Sequence, residues 1–235
     1  MTEEATKEIA VSQPTAIAIP SRSERAAALQ KRVQATSNII KINNAGTGFR
    51  IPGLGETDGP IDVVILDFIA QNVYYDPSKP FDRDNIEPPI CGAKGFDVND
   101  NLIPVEESPD KQADDCKNCP LNQFGSKGKG KACQNRKIVA VLPPDADDAT
   151  DILMFDISAT GIRKFDQVIA QMATVGGKEP HNFVVTAKPV QAGNSAAKTV
   201  GFSDMKVLDE DRVAFFDSKV EQASVLLAQP IRFEF

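Results

Sequence analysis

From Ile61 to Tyr75 the chain reads IDVVILDFIAQNVYY, a run of β-branched, aliphatic and aromatic residues with few polar breaks. Side chains of these kinds fit a pleated, largely buried surface, so the run predicts one long, bent strand. A shorter strand, Gly48 to Ile51, is predicted before it, across the turn sequence PGLGETDGP. Further on, KIVAVLP (Lys137 to Pro143) and DILMFDIS (Asp151 to Ser158) predict two strands joined by the acidic turn PDADDATD. Ile162, Phe165, Val168, Ile169 and Met172 then recur at helical spacing, which predicts a helix over Thr160 to Val175 ended by Gly176-Gly177. Asn182 to Gln191 and Lys198 to Leu208 read as two more strands around AGNSAA. An amphipathic helix over Asp209 to Ala228 closes the pattern, with Val213, Phe216, Val220, Ala223, Leu226 and Leu227 as its apolar positions.

Three stretches carry no such period. Residues 1–22 are polar and small and are expected to form a disordered tail. The following AAALQKRVQ has helical propensity, with Ser21 or Ser23 as its cap. Residues 76–115 are rich in Pro, Asp and Asn and read as irregular loop. The expected domain is 23–235, mainly β in an α+β arrangement, with an insertion over 76–136 and the C-terminal helix at 209–228. Strands, one helix and two further strands is the order of an OB-like Greek-key β-barrel, and a generic α+β sandwich shares it. Phe49, Phe68, Phe155, Phe183 and Phe202 fall in strand patterns and are assigned to the core.

Composition changes this picture in one place. The 235 residues are 41% hydrophobic and 25% charged, as in ordinary globular proteins, with a net charge of −7. That charge argues against binding polyanions through the whole surface. Yet Cys116 to Pro144 contains no Asp or Glu, while Lys117, Lys127, Lys129, Lys131, Arg136 and Lys137 make a basic island. No apolar run approaches the ~20 residues that span a bilayer, and MTEEATKEIA lacks the layout of a signal peptide, so a cytoplasmic protein without a membrane partner is expected.

The four cysteines, Cys91, Cys116, Cys119 and Cys133, fall within a 43-residue window that overlaps this island. In a reducing compartment a cluster of this kind points to metal rather than disulfides. Cys116-Lys117-Asn118-Cys119 is a Cys-x2-Cys knuckle, which supplies two of the four thiolates that tetrahedral zinc takes, and Cys91 and Cys133 would each add one. Four thiolates leave no open position for water, so the expected Zn2+ is structural. The competing readings are four unrelated buried thiols or a redox pair at Cys116 and Cys119; a redox Cys-x2-Cys opens a helix, and here Pro120 follows in a polar loop.

Within the sulfur-bounded stretch CPLNQFGSKGKGKAC, Gly125 and Gly130-Lys131 approach a phosphate-binding nucleotide loop. Ala132 replaces the hydroxyl that would hold magnesium, no hydrophobic strand leads into Gly125, and Cys133 is assigned to metal. The lysines remain suited to phosphate without base specificity. Phe124 either packs over the sulfur site or offers a ring for base stacking. Tyr74 and Tyr75 point to opposite faces of their strand, so at most one is buried and the other can stack, with Phe81 a weaker candidate. His181 has no nucleophile partner and is assigned a structural role; no acid/base constellation is visible, which argues against an enzyme. Phe233 and Phe235 are expected to pack as a last strand rather than to form a recruiting tail.

The run Cys116-x2-Cys119-Pro120-x-Asn122-x-Phe124-Gly125-Ser126, then Gly128-Lys129-Gly130-Lys131-x-Cys133, with Cys91 upstream, resembles a family of bacteriophage and prophage single-stranded DNA-binding proteins with an OB-type core and a zinc insertion. The resemblance covers about 45 residues of motif, and elsewhere only element order agrees. It implies a non-enzymatic protein that coats single-stranded DNA in phage replication or recombination, with the cysteines as ligands and the lysines at phosphates. Replication or recombination proteins are the implied partners, and an oligomer is left open. The alternative is a zinc-containing adaptor whose loop docks on a host or phage replication or transcription protein.

Overall fold

A computed structural model describes residues 38–79, 87–96, 102–175, 177–193 and 196–233. The predicted tail, the predicted helix after Ser23, Phe81 and Phe235 lie outside these residues. Among the described residues the chain forms nine strands and two α-helices. The strands are β1 (Ile39–Ile42), β2 (Phe49–Ile51), β3 (Gly55–Glu56), β4 (Ile61–Tyr74), β5 (Cys91–Gly95), β6 (Gln134–Leu142), β7 (Leu153–Ser158), β8 (Phe183–Gln191) and β9 (Lys198–Val207). The helices are α1 (Ala159–Thr174) and α2 (Glu210–Leu227).

All nine strands belong to one curled, half-barrel sheet in the order β3-β2-β1-β7-β6-β4-β8-β9, with β5 also on β4. The long β4 makes this possible by serving several neighbours. Its first residues pair antiparallel with β8, its last with β5, and most of its length with β6 along the other edge. A bulge between Ile65 and Asp67 bends it where the partners change. Asp67 stabilises the bend, accepting from the Phe68 amide at 2.7 Å and from the Ser224 hydroxyl of α2 at 2.6 Å.

Both faces of the sheet are covered, which explains why β4 reads as a nearly continuous apolar run instead of an alternation. On one face, Val63, Ile65, Val139 and Phe155 meet Phe165 and Met172 of α1. Edge-to-face pairs Phe49–Phe155, Phe155–Phe202, Phe202–Phe165 and Phe165–Phe68 run through this core at 5.1–5.8 Å. On the other, Phe216, Ala223 and Leu227 of α2 pack on Val64, Leu66, Ala140 and Leu142. Asp209 caps α2, accepting from the Arg212 amide at 2.9 Å, and Glu210 and Asp211 favour its positive N-terminal end. Helix α1 starts tight against β9: a Cβ on Gly161 would stand 2.5 Å from Thr199 Oγ1 and 2.7 Å from Ile157 Cγ2, so only glycine fits there.

Three strands go beyond the predicted set. β1 runs parallel to β7, carrying β2 and β3 as an antiparallel extension, and β5 lies inside the segment predicted to be irregular. The C-terminal Phe233 is not part of a strand. It packs instead, with Ile231, over Gly92 of β5, where an added Cβ would meet Phe233 Cζ at 3.0 Å.

Candidate functional site

The chain between β4 and β6 holds all four cysteines, and every one is buried. Cys91 opens β5, and the strand pairing sets it opposite Tyr74. Cys116 and Cys119 bracket a turn held by Asp115, whose carboxylate accepts from the Asn118 amide at 2.7 Å and from Asn118 Nδ2 at 2.8 Å. These bonds hold the Asp115 carboxyl below its ordinary range. Asn122 Nδ2 donates to Cys116 O at 2.7 Å, and the Cys133 amide donates to Leu121 O at 2.9 Å, so the second half of the loop folds back on the first.

All four sulfur residues line one cavity of about 10 Å3, with Asn72, Tyr74, Ala93 and Leu121 among its other walls. That volume is about one water-sized sphere, room for a single ion and nothing larger. Burial, reinforced by the neighbouring thiols, pushes Cys133 up to about 12 and also raises Cys116. Four soft, buried sulfur donors without a competing carboxylate are the donor set zinc takes. Among the described residues, no three His, Cys, Asp or Glu side chains already stand in ligating geometry, so the sulfurs share a cavity without converging on a point.

From Gln123 to Ala132 the chain is a small hairpin finger. Gly125 donates to Gly130 O at 2.9 Å and Gly130 to Lys127 O at 3.0 Å. Gly125 and Gly128 take positive φ values of 93° and 59°, so these glycines shape turns, a more definite role than the flexibility their spacing suggests. The Ser126 hydroxyl braces the base, donating to Leu121 O and Gln123 O and accepting from the Ala132 amide. The finger therefore presents Lys127 and Lys129 to solvent on a defined backbone.

Phe124 overturns the expectation that it packs over the sulfurs: it is 81% exposed. The Lys131 ammonium stands 5.2 Å from its ring centroid, a cation–π contact. Beside the ring opens a groove of about 1130 Å3 between the finger, the first residues of β6 and the start of α1. Lys131, Arg136 and Arg163 bring positive charge to its walls, and Asn72, Asn122, Asn135 and Gln167 bring amides. Asp156, whose Oδ1 is buried with no hydrogen-bond partner, and Asp166 also line it.

The predicted contact residues divide on this geometry. Lys117, Phe124, Lys127 and Lys129 are exposed on or beside the finger, and Lys131 lies at the groove. Arg136 lines the groove with its guanidinium paired to Asp156 and to Gln134 Oε1. Lys137 corrects its assignment as a phosphate contact. It is 6% exposed, its ammonium lies 2.8 Å from Asp166 Oδ1 and above the Phe68 ring, and that charge is engaged inside the fold. Tyr74 lines the sulfur cavity, and neither it nor Tyr75 lines the groove; both are half-buried. His181 is buried with Nε2 3.4 Å from Asp217 Oδ1, between a 3-10 turn and α2, consistent with a structural role. Arg163, Asn72 and Asn135 gave no signal in the sequence, because an isolated Arg on a helix and scattered Asn residues carry no motif, whereas Asn122 stands in the quoted cysteine motif without a role assigned to it.

Comparison with protein-family models, characterised proteins and solved structures returns no match. Among the described residues, no helix is long and apolar enough to cross a membrane. The functional reading therefore rests on the site itself.

Proposed function

We propose that this protein binds single-stranded DNA without sequence preference, in the groove between the finger and α1, and performs no chemistry on it. The observation that carries the reading is Phe124: a large ring left 81% exposed, beside a cationic groove and under a lysine, adds little to the fold and presents a free face on which a base can stack. Lys127, Lys129 and Lys131 supply phosphate contacts along the finger, and Arg163 supplies one across the groove.

The strand order supports an OB-type barrel. β4, β6 and β7 follow one another as neighbours, α1 comes next, and β8 then returns to β4 with β9 beside it. In that fold the second and third strands and the loop between the first two bind oligonucleotides. That loop is here the finger, and the groove opens on the ends of β6 and β7. The hairpin β1–β3 extends the sheet at β7, on the side where such a barrel closes. Cys91, Cys116, Cys119 and Cys133 would hold one structural zinc that fixes the base of the finger. The motif resemblance names phage replication or recombination as the setting.

The test is a salt titration of binding to single- and double-stranded oligonucleotides side by side, with wild type and the Lys127→Glu/Lys129→Glu/Lys131→Glu variant. Single-strand affinity is expected to fall steeply with salt, because each neutralised phosphate releases counterions, and the reversed charges are expected to flatten that slope by about 0.7 for each phosphate the finger no longer neutralises. Absence of binding at low salt, or binding indifferent to the reversal, overturns the reading.

A further inference from the structure

Asn72, Asn122 and Asn135 lie between the sulfur cavity and the groove: the first two line both, the third lines the groove alone. Asn72 is 5% and Asn122 8% exposed, positions at which an amide is costly unless its hydrogen bonds are made. Here they are made with one another. Asn72 lines the sulfur cavity together with Cys116. Asn135 Nδ2 donates to Asn72 Oδ1 and, at 2.9 Å, to Asn122 Oδ1. Asn122 Nδ2 donates to Cys116 O at 2.7 Å, while its Oδ1 also receives the Lys131 ammonium at 3.4 Å. Lys131 in turn stands over Phe124. Two acceptor oxygens facing one amide require that its NH2 group point at them, so Asn135 has a single workable orientation.

We propose that these asparagines form a positioning relay, in which Asn135 ties the sulfur cluster to Lys131 and, through it, to Phe124, so that the finger's grip on nucleic acid depends on order at the cluster. The relay takes its ligand from the single-strand reading above, but its contacts are independent of that reading. Asn135 acts by joining Asn72, on the wall of the sulfur cavity, to Asn122, which holds both Cys116 O and the Lys131 ammonium. Networks of this kind are worth more than their separate bonds, and removing the shared donor strips Asn72 Oδ1 of its bond and leaves Asn122 Oδ1 with the longer one from Lys131 alone.

The experiment compares full-length wild type with Asn135→Ala, which removes the donor, and Asn135→Asp, which keeps the size but turns an acceptor toward two acceptors. Two readouts are taken: the rate of tryptic cleavage after Lys131 without nucleic acid, and the salt slope of single-strand binding. Metal content and thermal midpoint are measured alongside. Both variants are expected to keep the wild-type metal content, to be cut several-fold faster after Lys131, and to lose about 0.7 from the slope, the share of one phosphate on a single strand. A purely structural role for Asn135 would lower the midpoint and leave the slope of the folded protein intact. Cleavage rates equal to wild type in both variants overturn the relay, as does loss of metal from both, which would make the asparagines servants of the cluster alone. If wild type itself fails to bind the oligonucleotide, the single-strand reading falls, and the cleavage rates still decide the relay.

Discussion

Replacing Phe124 with alanine separates a binding role from a folding role more cleanly than any other single change. With 81% of its surface exposed, the ring gives folding about a fifth of the ~1.5–3 kcal/mol that full burial of such a side chain is worth, or about 0.3–0.6 kcal/mol. The contact with Lys131, at an exposed site, adds about 0.5–1 kcal/mol. Phe124→Ala should therefore lower stability by about 0.8–1.6 kcal/mol, the two contributions taken together. Stacking of one base is worth about 1–3 kcal/mol, which corresponds to roughly 5- to 140-fold in affinity. The assay is anisotropy of a labelled single strand at fixed salt, with urea unfolding of the same preparation. Phe165→Ala serves as the contrast. That ring is 1% exposed in the first core, and its loss should cost about 3–5 kcal/mol of stability. Single-strand affinity of Phe124→Ala within twofold of wild type would refute the assignment, because an exposed ring that neither folds the protein nor binds its ligand has no role in this scheme.

Protein purified without a metal-binding tag should carry about one zinc per chain by elemental analysis, and chelation should lower its thermal midpoint; less than about half an equivalent counts against the four-sulfur site. Lys94 offers a pH-dependent check on the β5 edge. Burial holds its ammonium down to about 8, against an ordinary 10.5, while its Nζ donates to Gln229 O at 2.8 Å. Between those values the unfolded chain binds the extra proton, so Lys94 contributes stability that rises with pH across that window. The stability of wild type relative to Lys94→Met should accordingly improve from pH 8 to pH 10.5 in urea unfolding, and a constant difference would contradict it.

Long periodic segments were legible because their cause is local. The run that became β4, the helical spacing of Phe165 and Met172 in α1, and the apolar stripe of α2 each state which face must be buried, whatever lies opposite. The core assignments for Phe49, Phe155, Phe183 and Phe202 follow from the same alternation, and all four are buried. The Cys-x2-Cys knuckle is likewise a feature of spacing, and together with the two remaining cysteines it marks the sulfur cavity from the sequence.

What only the tertiary structure decided depends on contacts between residues far apart in the chain. CGAKG has no β-branched residue, and it is a strand because the end of β4 offers it an open edge. IIKI is too short to stand alone and is held by a parallel neighbour more than a hundred residues later. Lys137 looked like its basic neighbours until α1 brought Asp166 to it, while Phe124 could equally pack over the sulfurs or stand free until the finger's turns carried it out into solvent. Arg163, Asn72 and Asn135 enter the groove from a helix and two strands that nothing in their local sequence associates. A sequence states which residues must hide from water. It takes the folded sheet to say which polar groups, coming from separate elements, end up facing one another.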